Sequence, residues 1–216
     1  NTSYFFRAAT VNWDGDRNYV YTPDTATLAN IPLQPADTAT AFTGLTTGQM
    51  TVNWAANSNP SDTLYFVRLS SNSGFSTPVF SSGTKNAYAS FAGLNPNTTY
   101  YLQATAFNRL NIPTGPVDFN PMATLAFNPV YRDFSGIGAS SVTLNWGHGD
   151  NPVGNTYYKA QLSSSSVFAE PVFSSVTLNN SSTFYALVSN ATYYLRVSAL
   201  NYTNFATSPT ALGTAL

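Results

Sequence analysis

The sequence has no cysteine and few charged residues, and both absences exclude whole classes of protein. Without cysteine there is no disulfide framework, no cysteine-ligated zinc and no cysteine nucleophile. Charged residues make up 8% of the 216 residues, with eight basic and nine acidic side chains and a net charge of −1. Because this balance leaves no basic surface for nucleic acid or an anionic membrane, we expect neither as a partner.

Long apolar runs are also missing, although 43% of the residues are hydrophobic and 15% are aromatic. No stretch approaches the roughly 18 apolar residues of a membrane-spanning helix, so we expect no membrane insertion in this segment. The aromatic content is ample for sizeable folded cores. No signal peptide stands at the N terminus, and we therefore expect the chain to be part of a longer polypeptide.

An internal repeat of about 93 residues organises the chain. The repeated segment starts with Asn-x-Ser/Thr-Tyr, and its copies begin at Asn1, Asn97 and Asn190. Each copy continues through alternating apolar and polar residues to a second asparagine, at Asn12, Asn108 and Asn201. The repeat predicts a partial module over residues 1–29 and two complete modules over 30–126 and 127–216, joined by linkers of almost no length.

Within a module the sequence pattern is that of β-structure. Met50, Val52 and Trp54 alternate with polar residues, and such period-two runs are half-buried strands. Segments rich in Gly, Pro, Asn and Ser separate the runs, as expected for turns, and no useful window shows a helical period. About seven short strands per module predict an all-β, immunoglobulin-like sandwich.

The residues that recur at fixed places resemble the fibronectin type III family, in a microbial extracellular form. Trp54 and Trp146 match the family's tryptophan on the second strand, and Leu94 to Tyr100 match its Leu-x-Pro-x-x-x-Tyr segment. In the last module Ser189 stands where proline is usual. The resemblance implies tandem sandwiches in which the tyrosine hydroxyl bonds to upstream backbone. The core residues that it implies are Trp54, Trp146, Tyr4, Tyr100, Tyr193, Leu94 and Leu187.

Two loop residues are candidates for chemistry or binding. Trp13, beside Asp14 and Asp16, could contact a sugar or a protein, or could simply belong to an ordinary turn. His148 is the single histidine, and no nucleophile or orienting acid accompanies it in the sequence, so we interpret it as a solvated loop residue. We therefore predict a protein that is not an enzyme and has no metal or cofactor.

Asparagine sequons and outward-facing aromatics suggest surface contacts. Asn97, Asn190 and Asn180 each begin an Asn-x-Ser/Thr sequon and are candidate glycosylation sites, although asparagine also suits the left-handed geometry of a tight turn. Tyr101 and Tyr194 fall on the outward phase of their strands and could contact a partner or a neighbouring module.

These observations predict a non-catalytic structural or adhesive segment of a longer extracellular or cell-surface repeat protein, such as a self-assembling fibre, a stalk or a tether. The expected partners are neighbouring modules, identical subunits in a fibre, and surface glycans or proteins. The two strands within residues 1–29 could pair with an upstream part of the chain or with another subunit. Two alternatives stay open: spacer modules of a secreted polysaccharide-degrading enzyme, and a ligand-binding receptor ectodomain.

Overall fold

The computed structural model describes residues 1–77 and 79–215, and it consists almost entirely of β-strands. The chain divides into two compact units. The first unit comprises Asn1–Thr43, Thr51–Phe91 and Tyr100–Pro121, and the second comprises Gly44–Met50, Ala92–Thr99 and Met122–Leu216. Two turns of the predicted module 30–126 therefore belong to the second unit. Among the described residues, no helix has the length and apolar character needed to cross a bilayer.

The strands follow the three copies of the repeat. Residues 1–29 form β1 (Ser3–Tyr4), β2 (Arg7–Val11), β3 (Arg17–Tyr21) and β4 (Thr25–Ala26). The next copy forms α1 (Thr38–Ala41), β5 (Phe42–Thr43), β6 (Gln49–Asn53), β7 (Leu64–Ser70), β8 (Val79–Thr84), β9 (Tyr88–Ala92), β10 (Thr99–Phe107) and β11 (Val117–Ala123). The last copy forms β12 (Val130–Tyr131), β13 (Ser135–Gly138), β14 (Ser141–Gly147), β15 (Tyr157–Ser163), β16 (Val172–Thr177), β17 (Ser181–Phe184), β18 (Tyr193–Leu200) and β19 (Thr210–Ala215).

Each complete copy builds two antiparallel sheets. In the middle copy the strand orders are β5-β6-β9 and β11-β10-β7-β8. In the last copy they are β12-β14-β13, with β17 also paired to β14, and β16-β15-β18-β19. Strand β10 shows how the sequence specifies the sheet, because its residues alternate without exception between half-buried and buried positions. That alternation places one row of apolar side chains toward the facing sheet.

The second unit has a core centred on Trp146, which is fully buried. Its indole ring lies 5.8 Å from the ring of Tyr158, and Leu144, Leu162 and Leu195 complete the buried layer. In the first unit Trp54 packs edge-on against Tyr65 at 5.4 Å. Burying a side chain of this size contributes about 3 to 5 kcal/mol relative to alanine, a large part of a small domain's stability.

The implied core residues are buried in both complete copies of the repeat, apart from a half-buried Leu187. The Tyr193 hydroxyl accepts the backbone N–H of Val188 at 3.0 Å, the upstream bond expected of this tyrosine. Tyr4 differs, since its side chain is 49% exposed. Residues 1–29 form two-stranded pairs, β1 with β4 and β2 with β3, which present no facing sheet to cover Tyr4.

An arginine and a glutamine pair across the central strands of each sandwich, with their places exchanged. Arg68 on β7 bonds Gln103 on β10, whereas Gln161 on β15 accepts a bond from Arg196 on β18 at 2.8 Å. Each guanidinium also stacks on a half-buried phenylalanine, Phe75 at 5.0 Å and Phe168 at 3.9 Å. The pair therefore works in either orientation across the strands.

Candidate functional site

Asn97 is a buried residue whose side-chain amide both donates and accepts a hydrogen bond. It lies in the turn before β10 with φ at 39°, and it is 1% exposed. Its Nδ2 donates to Thr156 Oγ1 at 2.9 Å, and its Oδ1 accepts the backbone N–H of Tyr202 at 3.0 Å. All three residues belong to the second unit. Asparagine tolerates the left-handed backbone better than most residues, so one side chain satisfies both the turn and the contacts.

Asn201 completes this arrangement from the turn between β18 and β19. Its Oδ1 accepts the backbone N–H groups of Thr203 at 3.0 Å and Phe205 at 2.8 Å, which fixes the turn. Its Nδ2 donates to the carbonyl of Thr124 at 3.1 Å, in the same unit. The turn thus holds the N–H of Tyr202 where Asn97 accepts it. The second asparagine cluster consists of Asn97, Thr124, Thr156, Asn201 and Tyr202.

The hydroxyl of Thr156 both donates and accepts a hydrogen bond, which fixes its orientation. It directly precedes β15 and is 1% exposed. Its hydroxyl donates to the carbonyl of Pro152 at 3.0 Å while it accepts from Asn97. A hydroxyl offers one donor and two acceptor positions, and this one uses both kinds. Because a buried polar atom left without a partner costs about 1–3 kcal/mol, removing one member of the cluster penalises the others.

The same contacts occur in the first unit, built from the equivalent positions of the repeat. Asn1 Nδ2 donates to Thr63 Oγ1 at 2.9 Å, and Asn1 Oδ1 accepts the backbone N–H of Arg109 at 2.9 Å. Asn108 Nδ2 donates to the carbonyl of Thr27 at 3.3 Å. The first asparagine cluster consists of Asn1, Thr27, Thr63, Asn108 and Arg109. Residues far apart in sequence are therefore brought together twice in the same way.

A further asparagine in each unit binds the chain just after the repeated Thr-Leu-Ala segment. Asn59 accepts the N–H of Asn30 at 2.8 Å and donates to its carbonyl at 2.7 Å. Asn151 accepts the N–H of Phe127 at 2.7 Å and donates to its carbonyl at 2.9 Å. Each side-chain amide thus bonds both the N–H and the carbonyl of one residue, as the backbone of a neighbouring β-strand does. This contact fixes the path of the chain beside each cluster.

The two clusters differ in burial and in charge. Asn97 is fully buried, whereas Asn1 is only half-buried. In the first cluster Arg109 contributes its backbone N–H, and its side chain forms an ion pair with Asp62 at 2.8 Å, with both side chains nearly half exposed. Such exposed pairs contribute at most about 1 kcal/mol. The uncharged hydrogen bonds are what the two clusters share.

Asn190 is the third copy of this asparagine, and its surroundings are open. Its φ is 56°, in the same left-handed region as Asn97. Its side chain is exposed, and it has no hydrogen-bond partner within residues 1–77 and 79–215. The backbone of the turn is thus the same as at Asn97, while the contacts to its amide are missing.

Trp13 lies fully exposed in the turn between β2 and β3. Asn12 organises that turn, because its Oδ1 accepts the N–H groups of Asp14 at 3.1 Å and Asp16 at 2.8 Å. Asn12 Nδ2 donates to the Asp16 carboxylate at 3.3 Å. The two carboxylates therefore belong to a turn of the kind that Asn108 and Asn201 also form. The indole is free to contact another molecule.

His148 lies beside a buried tyrosine. Its Nδ1 is 3.2 Å from the hydroxyl of Tyr158, and burial raises the pKa of that hydroxyl. In the part of the chain that the structure describes, no three His, Cys, Asp or Glu side chains are grouped closely enough to hold a metal ion.

The candidate glycosylation and contact residues have different environments. A glycan on Asn97 would occupy the Nδ2 that binds Thr156 and would need space at a residue that is 1% exposed, so this fold has no room for it. Asn180 and Asn190 are exposed and keep their sequons accessible. Tyr101 and Tyr194 are half-buried on β10 and β18. Both remain candidates for contact with another surface.

Sequence reasoning missed the residues that complete the clusters. Thr63 and Thr156 each directly precede a strand, and nothing local distinguishes them from other threonines. Asn59 and Asn151 were visible only as parts of turns. The available signal was recurrence, because each of these residues returns at the same place in the next copy of the repeat.

Comparison with a solved structure supports the architecture described above. A two-domain fibronectin type III segment from chicken tenascin matches with a TM-score of 0.50 and 14% identity, covering 81% of this chain and 95% of that chain. The FN1–FN3 domains of chicken CNTN1 match with a TM-score of 0.41 and 16% identity, covering 99% of this chain and 76% of that chain. The likeness to the tenascin segment confirms the predicted fold of tandem fibronectin type III sandwiches. The sequence matches no protein-family model and no curated protein.

Proposed function

We propose that this chain is a non-catalytic structural segment of a longer extracellular or cell-surface repeat protein, a fibre, stalk or tether. In this role each module is held to the next by an asparagine cluster. Fibronectin type III domains are generally non-catalytic and typically occur in extracellular or cell-surface proteins, which supports the general part of the proposal.

The observation that carries the proposal is the duplication of the asparagine cluster. Asn1 and Asn97 make the same two side-chain contacts, to a threonine hydroxyl and to a backbone N–H. Amide hydrogen bonds are directional, so repeated contacts of this kind specify geometry as well as affinity. A repeat protein that must keep a fixed spacing between modules needs such contacts, whereas a flexible spacer does not.

The energy of one cluster suits a structural joint. The second cluster has three contacts between distant parts of the sequence, from Asn97 to Thr156, from Tyr202 to Asn97, and from Asn201 to Thr124. At about 1 kcal/mol each, they contribute a few kcal/mol. A long chain with many such joints therefore resists bending at each one while each module keeps its own core.

The test is the assembly state of the protein purified from its native source. Electron microscopy of negatively stained material, together with intact mass, should show long regular particles and a subunit mass well above 23.2 kDa. Compact, monodisperse particles that carry a large additional domain would contradict the proposal and favour spacer modules of a secreted enzyme. Mass beyond that of the polypeptide would reveal glycans.

A further inference from the structure

The end of the second unit that carries Asn190 has the form of a binding site for another module. Asn190 lines a cavity of about 410 Å³ together with Ile137, Leu187, Val188 and Tyr193. The cavity thus combines an apolar wall with an amide that has one donor group and one acceptor free. A purely apolar groove would accept many partners, whereas this site selects a partner with a hydrogen-bond acceptor for Nδ2 and a donor for Oδ1.

The equivalent surface near Asn97 shows which residues lie opposite such a site. There Leu45, Leu125 and Phe205, all in the second unit, line one cavity. Leu45 is half-buried, while Ile137, which takes its place in the last copy, is 58% exposed. Leu94 is 6% exposed, while its counterpart Leu187 is half-buried. The same surface is therefore more deeply buried at one position of the repeat than at the other, although a cavity of about 390 Å³ remains beside Leu45.

We propose that the Asn190 surface binds the N-terminal end of a further fibronectin type III module of this repeat, an inference that rests on the proposed function. In the bound state Asn190 Nδ2 donates to a threonine hydroxyl placed as Thr156 is. Asn190 Oδ1 accepts a backbone N–H placed as that of Tyr202 is. The apolar wall of Ile137 and Leu187 is partly covered by the linker and by the turn that carries the counterpart of Phe205.

A second copy of this chain is a poor occupant. Within each copy the Thr156 hydroxyl and the Tyr202 N–H are already bound to Asn97. The corresponding groups Thr63 and Arg109 are likewise bound to Asn1. A glycan on Asn190 is the other competitor, because it would use the same Nδ2 atom. These considerations favour a further module joined in sequence.

The experiment extends the full chain by one more module. Residues 124–216 are attached after Leu216, since position 216 corresponds to Ala123 in the repeat, and isotope label is placed in the attached segment only. The backbone N–H of the attached copy of Tyr202 should exchange with solvent at least about tenfold more slowly than in the same chain carrying Asn190→Gly. Glycine keeps the left-handed turn and removes only the amide.

Two controls define the outcomes. In the 216-residue chain, Asn97→Gly should speed exchange of the original Tyr202 N–H by a similar factor, while Asn190→Gly should shift the melting temperature by no more than about 1 °C in either direction. In the extended chain, Asn190→Gly should lower the melting temperature by several degrees. Equal exchange rates and equal melting temperatures with and without Asn190→Gly would overturn the proposal, as would a glycan on Asn190 in the native protein.

The result also separates this inference from the proposed function. An unprotected Tyr202 N–H in the attached segment, with long regular particles in the native preparation, would overturn only the Asn190 site. A protected N–H with compact native particles that carry an enzyme domain would overturn only the fibre or stalk.

Discussion

Asn97 and Asn190 occupy the same place in the repeat and the same left-handed backbone region, yet one is buried and bonded and the other is exposed. At Asn97 the amide holds Thr156 and the N–H of Tyr202, whereas the amide of Asn190 has no partner among the described residues. The comparison separates two requirements that a single asparagine meets. The turn needs a residue that accepts a positive φ, and the cluster needs an amide.

The difference shows which part of the site is local and which depends on distant residues. Any residue tolerant of positive φ would form the turn, and glycine would form it most easily. The hydrogen bonds at Asn97 depend on segments that lie 59 and 105 positions further along the chain. A substitution that preserves the turn but removes the amide therefore distinguishes the two requirements at each position.

The largest expected effect comes from removing the centre of the core of the second unit, to which both asparagines belong. Trp146→Ala should lower the free energy of unfolding by about 3 to 5 kcal/mol, because the indole is fully buried and packs on Tyr158. Denaturant unfolding followed by circular dichroism measures the change. The control is Trp13→Ala, which removes a fully exposed indole and should change stability by less than about 0.5 kcal/mol. Equal losses in the two variants would contradict the assignment of Trp146 to the core.

The next effect tests the comparison directly. Asn97→Gly should destabilise the chain by about 1–3 kcal/mol, because it leaves the Thr156 hydroxyl and the Tyr202 N–H without their partner. Asn190→Gly should change stability by no more than a few tenths of a kcal/mol, of either sign. Melting temperatures of the two variants, measured side by side, decide the point. Two equal shifts would mean that the turn alone accounts for both asparagines.

A smaller effect should come from replacing the threonine whose hydroxyl accepts a hydrogen bond from Asn97. Thr156→Val keeps the shape of the side chain but removes its hydroxyl, and we expect a loss of about 1–2 kcal/mol. The double variant with Asn97→Gly should lose less than the sum of the single losses, because both remove one shared contact. Additive losses would show that Asn97 and Thr156 act independently. Thr63→Val should cost less, since Asn1 is only half-buried.

The smallest effect tests whether each sandwich requires its own orientation of the arginine–glutamine pair. Arg196→Gln should cost about 0.5–1 kcal/mol, because it removes the stacking on Phe168 and the bond to Gln161. Adding Gln161→Arg should recover most of that loss, since the middle copy already has the pair in this orientation, as Arg68 and Gln103. Urea unfolding of the single and double variants measures the recovery. A double variant no more stable than the single one would show that the orientation matters.

Most of the fold could be predicted from the sequence because its signals are local and repeated. Alternation in segments such as β10 specifies which face is buried, and two tryptophans at equivalent places specify two cores. The one-turn helix α1 was missed, since four residues are too few to show a helical period. Asp37 begins it by accepting the N–H of Ala39 at 3.1 Å. Tyr4 was placed in a core because its sequence matches Tyr100, but residues 1–29 provide no facing sheet.

The candidate site was harder to predict because its partners are distant in sequence. The asparagines were recognised as turn residues and sequons, and both properties are local. That Asn97 bonds Thr156 follows only when the fold brings them together. Recurrence of the threonine and of both asparagines is the pattern from which the clusters could have been inferred, since a single copy of each carries no signal.

The second asparagine cluster contains no group that ionises between mildly acidic and mildly basic conditions. Its contacts are made by amides, hydroxyls and backbone groups, whereas Arg109 of the first cluster also carries the exposed ion pair with Asp62. Dissolved salt weakens attraction between exposed charges but has little leverage on buried neutral hydrogen bonds. The hydrogen bonds of this cluster should therefore contribute the same stability at high salt as at low salt, and at pH 5 as at pH 8.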